Sequence, residues 1–297
     1  MILGRLRDRQ DLSGLAGALV KGGFVVVKAG KLILALASFA VYAFLFTWQF
    51  AVIILGMLVI HEGGHLRCMK HYGMKTRGIY LIPLLGAAAV TEDSFPSRRA
   101  EATIALAGPL TGAVLAAGTG LLYFATRNGA FAAAAAWMAL INLFNLLPVV
   151  PLDGGRVVKS ITCSIGSRIG LVAIIAGMLL GAVLAVTADL WIFVIVIPLG
   201  LLDYLYDRRQ VRRAPRRVRP GPGRHARVPE AWTAPAAPAS PDEQTGAGIP
   251  AAKPPLSPRA AQAAFACYAG LAIALWLFML AMGNQPGAVA AMHALQG

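Results

Sequence analysis

Seven long runs of apolar residues dominate this chain of 297 residues. They cover residues 32–48, 50–68, 102–126, 130–147, 169–187, 190–205 and 260–282. A helix needs about 20 apolar residues to cross the hydrocarbon of a bilayer. Because lipid offers no hydrogen-bond partners, the backbone of such runs must satisfy itself, as helices do. We therefore predict an all-α polytopic membrane protein with about seven transmembrane helices.

The composition agrees with burial in a membrane and excludes a soluble enzyme. Hydrophobic residues make up 58% of the chain and charged residues only 13%, against roughly 45–50% and 25% in soluble domains. Hydrophobicity this high also excludes intrinsic disorder for most of the chain. The three cysteines, Cys68, Cys163 and Cys267, lie too far apart to indicate a disulfide framework or a cysteine zinc site.

The net charge of +14 has an ordinary cause in a membrane protein. Basic residues collect in cytoplasmic loops. If the seven spans alternate, Arg127 lies alone on one side and the other 26 of the 27 basic residues lie on the opposite side. This predicts a multi-pass protein of the cell membrane with its N-terminus in the cytoplasm and its C-terminus outside. Usage rich in alanine and arginine points to a bacterial inner or plasma membrane.

Two stretches do not have the composition of a span. Residues 77–90 mix apolar residues with Gly78, Pro83 and Gly86, which predicts a small re-entrant β-strand or loop element. Such backbone is tolerated at membrane depth only where protein or a water-filled cavity surrounds it. Residues 206–259 are rich in Arg, Pro, Ala and Gly and predict a disordered cytoplasmic linker. Its arginine run favours contact with anionic lipid over nucleic-acid binding.

An HExxH pattern, formed by His61, Glu62 and His65, lies late in the second span. On a helix, positions i and i+4 share a face, so both imidazoles can reach one Zn²⁺. Zinc lowers the pKa of a bound water to roughly 7, and the neighbouring Glu62 carboxylate can take its proton. Ionisable side chains inside a span are costly, so three of them within five residues indicate a function rather than helix packing.

A catalytic zinc needs a third protein ligand. Asp153 follows the fourth span within 145–156 (NLLPVVPLDGGR), where two prolines and two glycines would break a helix. Broken backbone at membrane depth usually lines a polar cavity, and the predicted topology puts Asp153 and the histidines towards the same side. We therefore predict Asp153 as the third ligand, the alternative being a cap of an interfacial turn.

These motifs together resemble the site-2 protease family of intramembrane zinc metalloproteases, peptidase family M50. Residues 145–156 resemble its Asn-x-x-Pro-x-x-Pro-x-Asp-Gly-Gly motif, which is far more specific than HExxH. Residues 81–86 (LIPLLG) resemble its membrane-embedded strand, and residues 107–109 resemble its Ala-Gly-Pro motif. The resemblance covers about residues 32–168, which would form the catalytic core.

The resemblance implies a role for each matching residue. His61, His65 and Asp153 would bind one zinc, Glu62 would be the general base, and Asn145 would stabilise the oxyanion or hold the substrate backbone. In one departure, the family often has Asn three residues after Ala-Gly-Pro, where this chain has Gly112. Any substrate contact from that Asn is absent, and Gly108 with Gly112 forms a GxxxG pair suited to close helix packing.

The implied organisation places four further segments around the core. They are a cytoplasmic N-terminal segment (1–31), additional transmembrane helices (169–205), the linker (206–259) and a C-terminal transmembrane helix with a short tail (260–297). The implied activity is hydrolysis of peptide bonds in or near transmembrane segments, that is, regulated intramembrane proteolysis. An exposed strand edge within 81–90 could capture an unwound substrate by strand addition; a plain packing loop is the alternative.

Two other functional classes remain open at the level of sequence. A metal or proton transporter would need polar residues through both halves of the membrane, whereas here they gather near one face. A catalytically silent scaffold could bind transmembrane segments, but it would have no need for the carboxylate of Glu62.

Overall fold

The computed structural model describes residues 29–83, 86–187, 197–202 and 253–296, most of which are helical. The eight labelled helices are α1 (Ala29–Leu45), α2 (Trp48–His71), α3 (Arg98–Thr126), α4 (Gly129–Asn145), α5 (Asp153–Ile165), α6 (Ser167–Thr187), α7 (Pro258–Gly283) and α8 (Ala288–Gln296). Two strands, β1 (Thr76–Ile82) and β2 (Gly86–Thr91), connect α2 to α3. Residues 197–202 are also helical.

Among the described residues, three helices are long and apolar enough to cross a membrane, namely α2, α3 and α7. Helices α1 and α4 and the segment Arg168–Val183 of α6 are apolar but shorter. The predicted helical architecture with a small strand element is confirmed, whereas a count of seven transmembrane helices is not. Most of the sixth predicted span, 190–205, lies outside the described residues.

Side-chain caps fix where the two central helices begin. Thr47 accepts a hydrogen bond from the Phe50 N–H at the start of α2, and Ser97 accepts one from the Ala100 N–H at the start of α3. Each such cap is worth about 1 kcal/mol. Helix α3 ends at Thr126. The capping residue, Arg127, adopts a left-handed conformation (φ 57°), and its N–H donates to the Tyr123 carbonyl. The chain can then reverse within three residues into α4.

Helix α3 is central to the bundle and packs against α2, α4, α5 and α7. Helix α4 presents buried alanines, which let its neighbours approach closely. Helix α7 covers the α4–α5 connection, where the Tyr268 hydroxyl donates to the Leu146 carbonyl at 2.7 Å. Helix α8, predicted only as a short tail, packs against α4, and the Leu295 carbonyl accepts from the Thr47 hydroxyl at 2.7 Å.

Residues 253–257 form an extended segment against α3 and α5, although the sequence assigned them to the disordered linker. The Pro254 carbonyl accepts from the Arg98 N–H at 3.0 Å, and the Leu256 N–H donates to the Ser164 hydroxyl at 3.0 Å. The Leu256 side chain is buried in an apolar cluster with Val157. This end of the predicted linker is therefore held to the core, while residues 203–252 lie outside the described residues.

The strands β1 and β2 form an antiparallel hairpin beside α2. Ile79 pairs with Ala89, and Leu81 pairs with Ala87. The predicted strand within residues 77–90 is therefore present. Among the described residues the two strands pair only with each other, so each strand has one outer edge.

Candidate metal centre

His61, His65 and Asp153 converge on one point, as the sequence predicted. The Nε2 atoms of the two histidines lie 3.2 Å apart. Each also lies 3.1 Å from Oδ2 of Asp153. All three side chains are buried. Residues 92 positions apart in the chain thus meet because α5 begins beside the middle of α2.

Hydrogen bonds on the far side of each ring fix the tautomer that each histidine adopts when it is neutral. The Nδ1–H of His65 donates to the Ile104 carbonyl at 2.7 Å, an atom that can only accept. The Nδ1–H of His61 donates to Oδ1 of Asn142 at 3.0 Å, an amide oriented by its own donation to the Met138 carbonyl. In neutral imidazoles the Nε2 atoms therefore carry lone pairs. Two nitrogen lone pairs and a carboxylate oxygen then face one another. Because all three atoms are electron-rich, a cation between them would remove their mutual repulsion.

The spacing of these three atoms fits a tetrahedral zinc ion. Zinc binds imidazole nitrogen and carboxylate oxygen at about 2.0–2.1 Å, so neighbouring ligand atoms of a tetrahedron lie about 3.3–3.4 Å apart. The observed separations of 3.1–3.2 Å are close to this value. The three residues form a group that could hold a metal ion, and two histidines with one carboxylate match a common set of catalytic zinc ligands.

Asp153 is the first residue of α5 and follows a tightly folded connection from α4. A Cβ atom on Gly154 would lie 2.0 Å from the Leu146 carbonyl, so only glycine allows the connection to fold back on the first turn of α5. This fold places the Asp153 carboxylate at the start of α5, with Oδ2 3.1 Å from Nε2 of each histidine.

Two glycines of α3 make room for the centre. A Cβ atom on Gly108 would lie 2.2 Å from Nε2 of His65 and 2.7 Å from Nε2 of His61. A Cβ atom on Gly112 would lie 2.2 Å from Oδ1 of Asn142. The sequence predicted that this GxxxG pair serves close helix packing. The structure agrees with that interpretation and adds that the side chains packed against the two glycines, from α2 and α4, belong to the site.

Glu62 lies beside the cluster and is also buried. Its Oε2 accepts a hydrogen bond from the Ala89 N–H of β2 at 2.7 Å. Its carboxylate interacts electrostatically with His61, His65 and Asp153. The strand hairpin and the HExxH helix therefore meet at this carboxylate, which the sequence did not foresee.

The structure does not bring Asn145 into the cluster. Asn145 is the last residue of α4 and is half-buried, and in the described part of the chain its side chain forms no hydrogen bond with the three clustered residues. The amide that touches the cluster belongs to Asn142, which sequence analysis missed. Its signal was a polar residue in the interior of an apolar helix, one turn before Asn145. The predicted role of Asn145 stays a prediction.

Fold and site together define a helical, membrane-type protein with a buried His–His–Asp centre. Residues 49–129 match the sequence profile of peptidase family M50. This range contains the HExxH helix and the Ala-Gly-Pro motif and ends before Asn145 and Asp153. The resemblance to the M50 family is thereby confirmed for this segment.

Curated relatives carry related names. The chain is 29% identical to zinc metalloprotease MJ0392 of Methanocaldococcus jannaschii, with 46% of this chain and 44% of that protein aligned. It is 34% identical to the putative zinc metalloprotease Rip3 of Mycobacterium tuberculosis, with 37% of this chain and 30% of that protein aligned. It is 33% identical to the putative zinc metalloprotease sll0528 of a Synechocystis species, with 39% of this chain and 31% of that protein aligned. The chain thus spans less than half the length of these relatives.

Proposed function

We propose that this protein is a zinc metalloendopeptidase that cleaves membrane-protein substrates in or near their transmembrane segments, as in regulated intramembrane proteolysis. One observation carries the proposal: two imidazole nitrogens and a carboxylate oxygen, all buried, meet at 3.1–3.2 Å beside a further carboxylate. The names of the curated relatives, each a zinc metalloprotease or a putative one, support it.

His61, His65 and Asp153 would hold one zinc ion. A bound Zn²⁺ supplies Lewis acidity, which polarises a peptide carbonyl and acidifies water. Glu62 would accept a proton from the attacking water and pass it to the leaving amine. Asn145 would donate to the oxyanion or hold the substrate backbone, as the family resemblance implies.

Helix geometry supports a site within the bilayer. His65 and His61 lie six and ten residues before the end of α2 at His71. At 1.5 Å per residue, they are about 9 and 15 Å below that end of the helix. A substrate bond reaching this depth would lie inside or close to the hydrocarbon region, which is about 30 Å thick.

The charge distribution supports a site nearer the cytoplasmic face, an N-terminus in the cytoplasm and a C-terminus outside. Arg98, Lys159 and Lys253 all pair with Glu101 at the α3 end that adjoins the end of α2. Arg127 lies at the opposite end of α3, where Tyr123 packs with Ala288 of α8. Basic residues favour the cytoplasmic side, and this arrangement would place the protein as a multi-pass protein of the cell membrane, in contact with lipid.

The outer edge of β2 supports capture of an unwound substrate. Residues of an antiparallel pair alternate between those that bond to the partner strand and those that point away. The Ala89 N–H bonds to Glu62 rather than to β1, so Ala89 and Ala87 point away from β1. A substrate strand added along this edge would take over the Ala89 N–H from Glu62, release that carboxylate and lie next to it.

The test is cleavage by the full-length protein in lipid vesicles. Single-span membrane proteins are incubated with wild type and with Glu62→Gln, and the product ends are mapped by mass spectrometry. We expect wild type to cut within or next to a transmembrane segment and Glu62→Gln to be inactive although it retains zinc. Zinc binding without cleavage of any substrate would favour a silent scaffold. A protein without zinc would contradict the proposal.

A further inference from the structure

A fully buried amide supports one side of the metal centre. Asn142 is 0% exposed in an otherwise apolar part of α4. Its Oδ1 accepts from the Nδ1–H of His61 at 3.0 Å, and its Nδ2 donates to the Met138 carbonyl at 2.7 Å. An amide buried without partners would cost several kcal/mol. Both ends of this one have a partner, and one of the partners is a proposed metal ligand.

The position of this amide depends on three helices. Asn142 belongs to α4, the imidazole that it contacts belongs to α2, and the space that it fills is left by Gly112 of α3. A Cβ atom at Gly112 would lie 2.2 Å from Oδ1 and 2.7 Å from Cγ of Asn142. The amide could not keep its contact with His61 if α3 carried any side chain there. The glycine and the asparagine therefore act as a unit.

The two histidines are held by different kinds of acceptor. His65 donates to the main-chain carbonyl of Ile104, whereas His61 donates to the side chain of Asn142. An acceptor at Nδ1 fixes the tautomer and the ring orientation, and it makes the opposite nitrogen a better metal ligand. For His61 alone, this support can be removed by a substitution outside the set of ligands.

We infer that Asn142, in the space provided by Gly112, is a positioning residue that orients His61 for metal binding. This inference rests on the proposed function, since it assigns the bound ion to the same centre. Asn142 lies outside the proposed ligand set, and its amide hydrogen-bonds to the Nδ1 side of His61, away from the Nε2 that faces the metal point.

The experiment measures the zinc dissociation constant of the full chain in detergent or lipid by competition with a chelator. Asn142→Ala removes the acceptor, and loss of such support typically weakens metal binding 10–100-fold. Gly112→Ala leaves the amide in the sequence but forces it aside, so we expect a similar loss. Asn142→Asp keeps an acceptor oxygen and is expected to bind zinc more tightly than Asn142→Ala.

Gly118→Ala is the matched control, because it makes the same change on the same helix where a Cβ atom would meet open space. We expect wild-type zinc affinity for this variant. The thermal midpoint of the metal-free protein is measured alongside, since a purely structural role would lower that midpoint without changing zinc affinity. If Asn142→Ala does not fold, the zinc affinity of Gly112→Ala tests the inference in its place.

The possible outcomes distinguish the positioning role of Asn142 from the proposed metalloprotease function. Weaker zinc binding by Asn142→Ala and Gly112→Ala, with Gly118→Ala unchanged, supports the inference. Wild-type affinity in both variants overturns the inference and leaves the metalloprotease proposal standing. A wild-type protein that binds no zinc overturns the proposed function and this inference with it.

Discussion

At the scale of single residues, His61, His65 and Glu62 are each held by an atom of opposite hydrogen-bonding character. The Ile104 carbonyl and the Asn142 amide oxygen accept from the histidine rings, and the Ala89 N–H donates to Glu62. Such contacts direct the remaining lone pairs inward, where a cation can use them. The chemistry of the site is therefore set as much by residues around the HExxH motif as by the motif itself.

Asn145 and Asn142 are expected to differ in what they do. They are three residues apart on α4, so they lie on neighbouring turns of a similar face. We predict that Asn145→Ala lowers the turnover number by roughly 10²–10³-fold, the usual cost of losing one donor to an oxyanion, and leaves zinc affinity unchanged. Steady-state cleavage and chelator competition on the same sample test this. Weaker zinc binding by Asn145→Ala would contradict the assignment.

The sequence was sufficient to predict His61, His65 and Asp153 because ionisable side chains in or next to apolar spans are rarely structural. It was not sufficient for Asn142. A single Asn in a span is equally compatible with helix packing, and its contact with His61 depends on how α2, α3 and α4 pack together. Gly112 leaves the space for the amide, and this role is visible only when the facing side chain is known.

At the scale of elements, the hairpin of β1 and β2 connects the HExxH helix to a strand edge. The apolar and glycine-containing stretch predicted a strand here, but its pairing and register depend on a second strand that sequence analysis had not separated from it. Hydropathy predicted the bounds of α1 to α4, α6 and α7 to within a few residues, whereas it predicted neither α5 nor α8 as a helix. Capping sets the exact residue at which a helix begins. Helix α7 begins at Pro258 rather than at residue 260 because the Ser257 side chain accepts a hydrogen bond from the Ala260 N–H.

Proline at Ala87 tests the strand edge. We predict that Ala87→Pro, which removes an outward-facing N–H and obstructs strand addition, lowers cleavage of transmembrane substrates at least about tenfold. Zinc affinity is expected to stay at the wild-type value, because Ala87 contacts no proposed ligand. Cleavage rate and zinc affinity are measured together. Wild-type cleavage by Ala87→Pro would contradict substrate capture by β2.

At the scale of the whole molecule, one buried carboxylate joins three parts of the chain. Glu101 of α3 pairs with Arg98 at 2.9 Å, with Lys159 of α5 at 3.3 Å and with Lys253 of the extended segment at 3.1 Å. All four side chains are largely buried. Hydropathy could not predict this arrangement, because Lys253 fell in the predicted disordered linker and Glu101 lies just before the predicted span 102–126.

We predict that Glu101→Gln destabilises the protein by about 3–5 kcal/mol, the usual cost of removing one partner from buried charges. Thermal unfolding in detergent measures this as a lower midpoint. Glu92→Gln is the matched control, since Glu92 pairs with Arg77 at 2.7 Å but both side chains are exposed. Exposed pairs contribute little, so we expect no measurable change there. An unchanged midpoint for Glu101→Gln would contradict the structural role of the cluster.

The central claim is that His61, His65 and Asp153 hold a catalytic zinc, and X-ray absorption at the zinc edge tests it most directly. The measurement uses the full-length protein purified in lipid. The account predicts one zinc per chain, a first shell of nitrogen and oxygen at about 2.0–2.1 Å, and scattering from two imidazole rings. Absence of zinc, or a sulfur ligand such as Cys68, would contradict it.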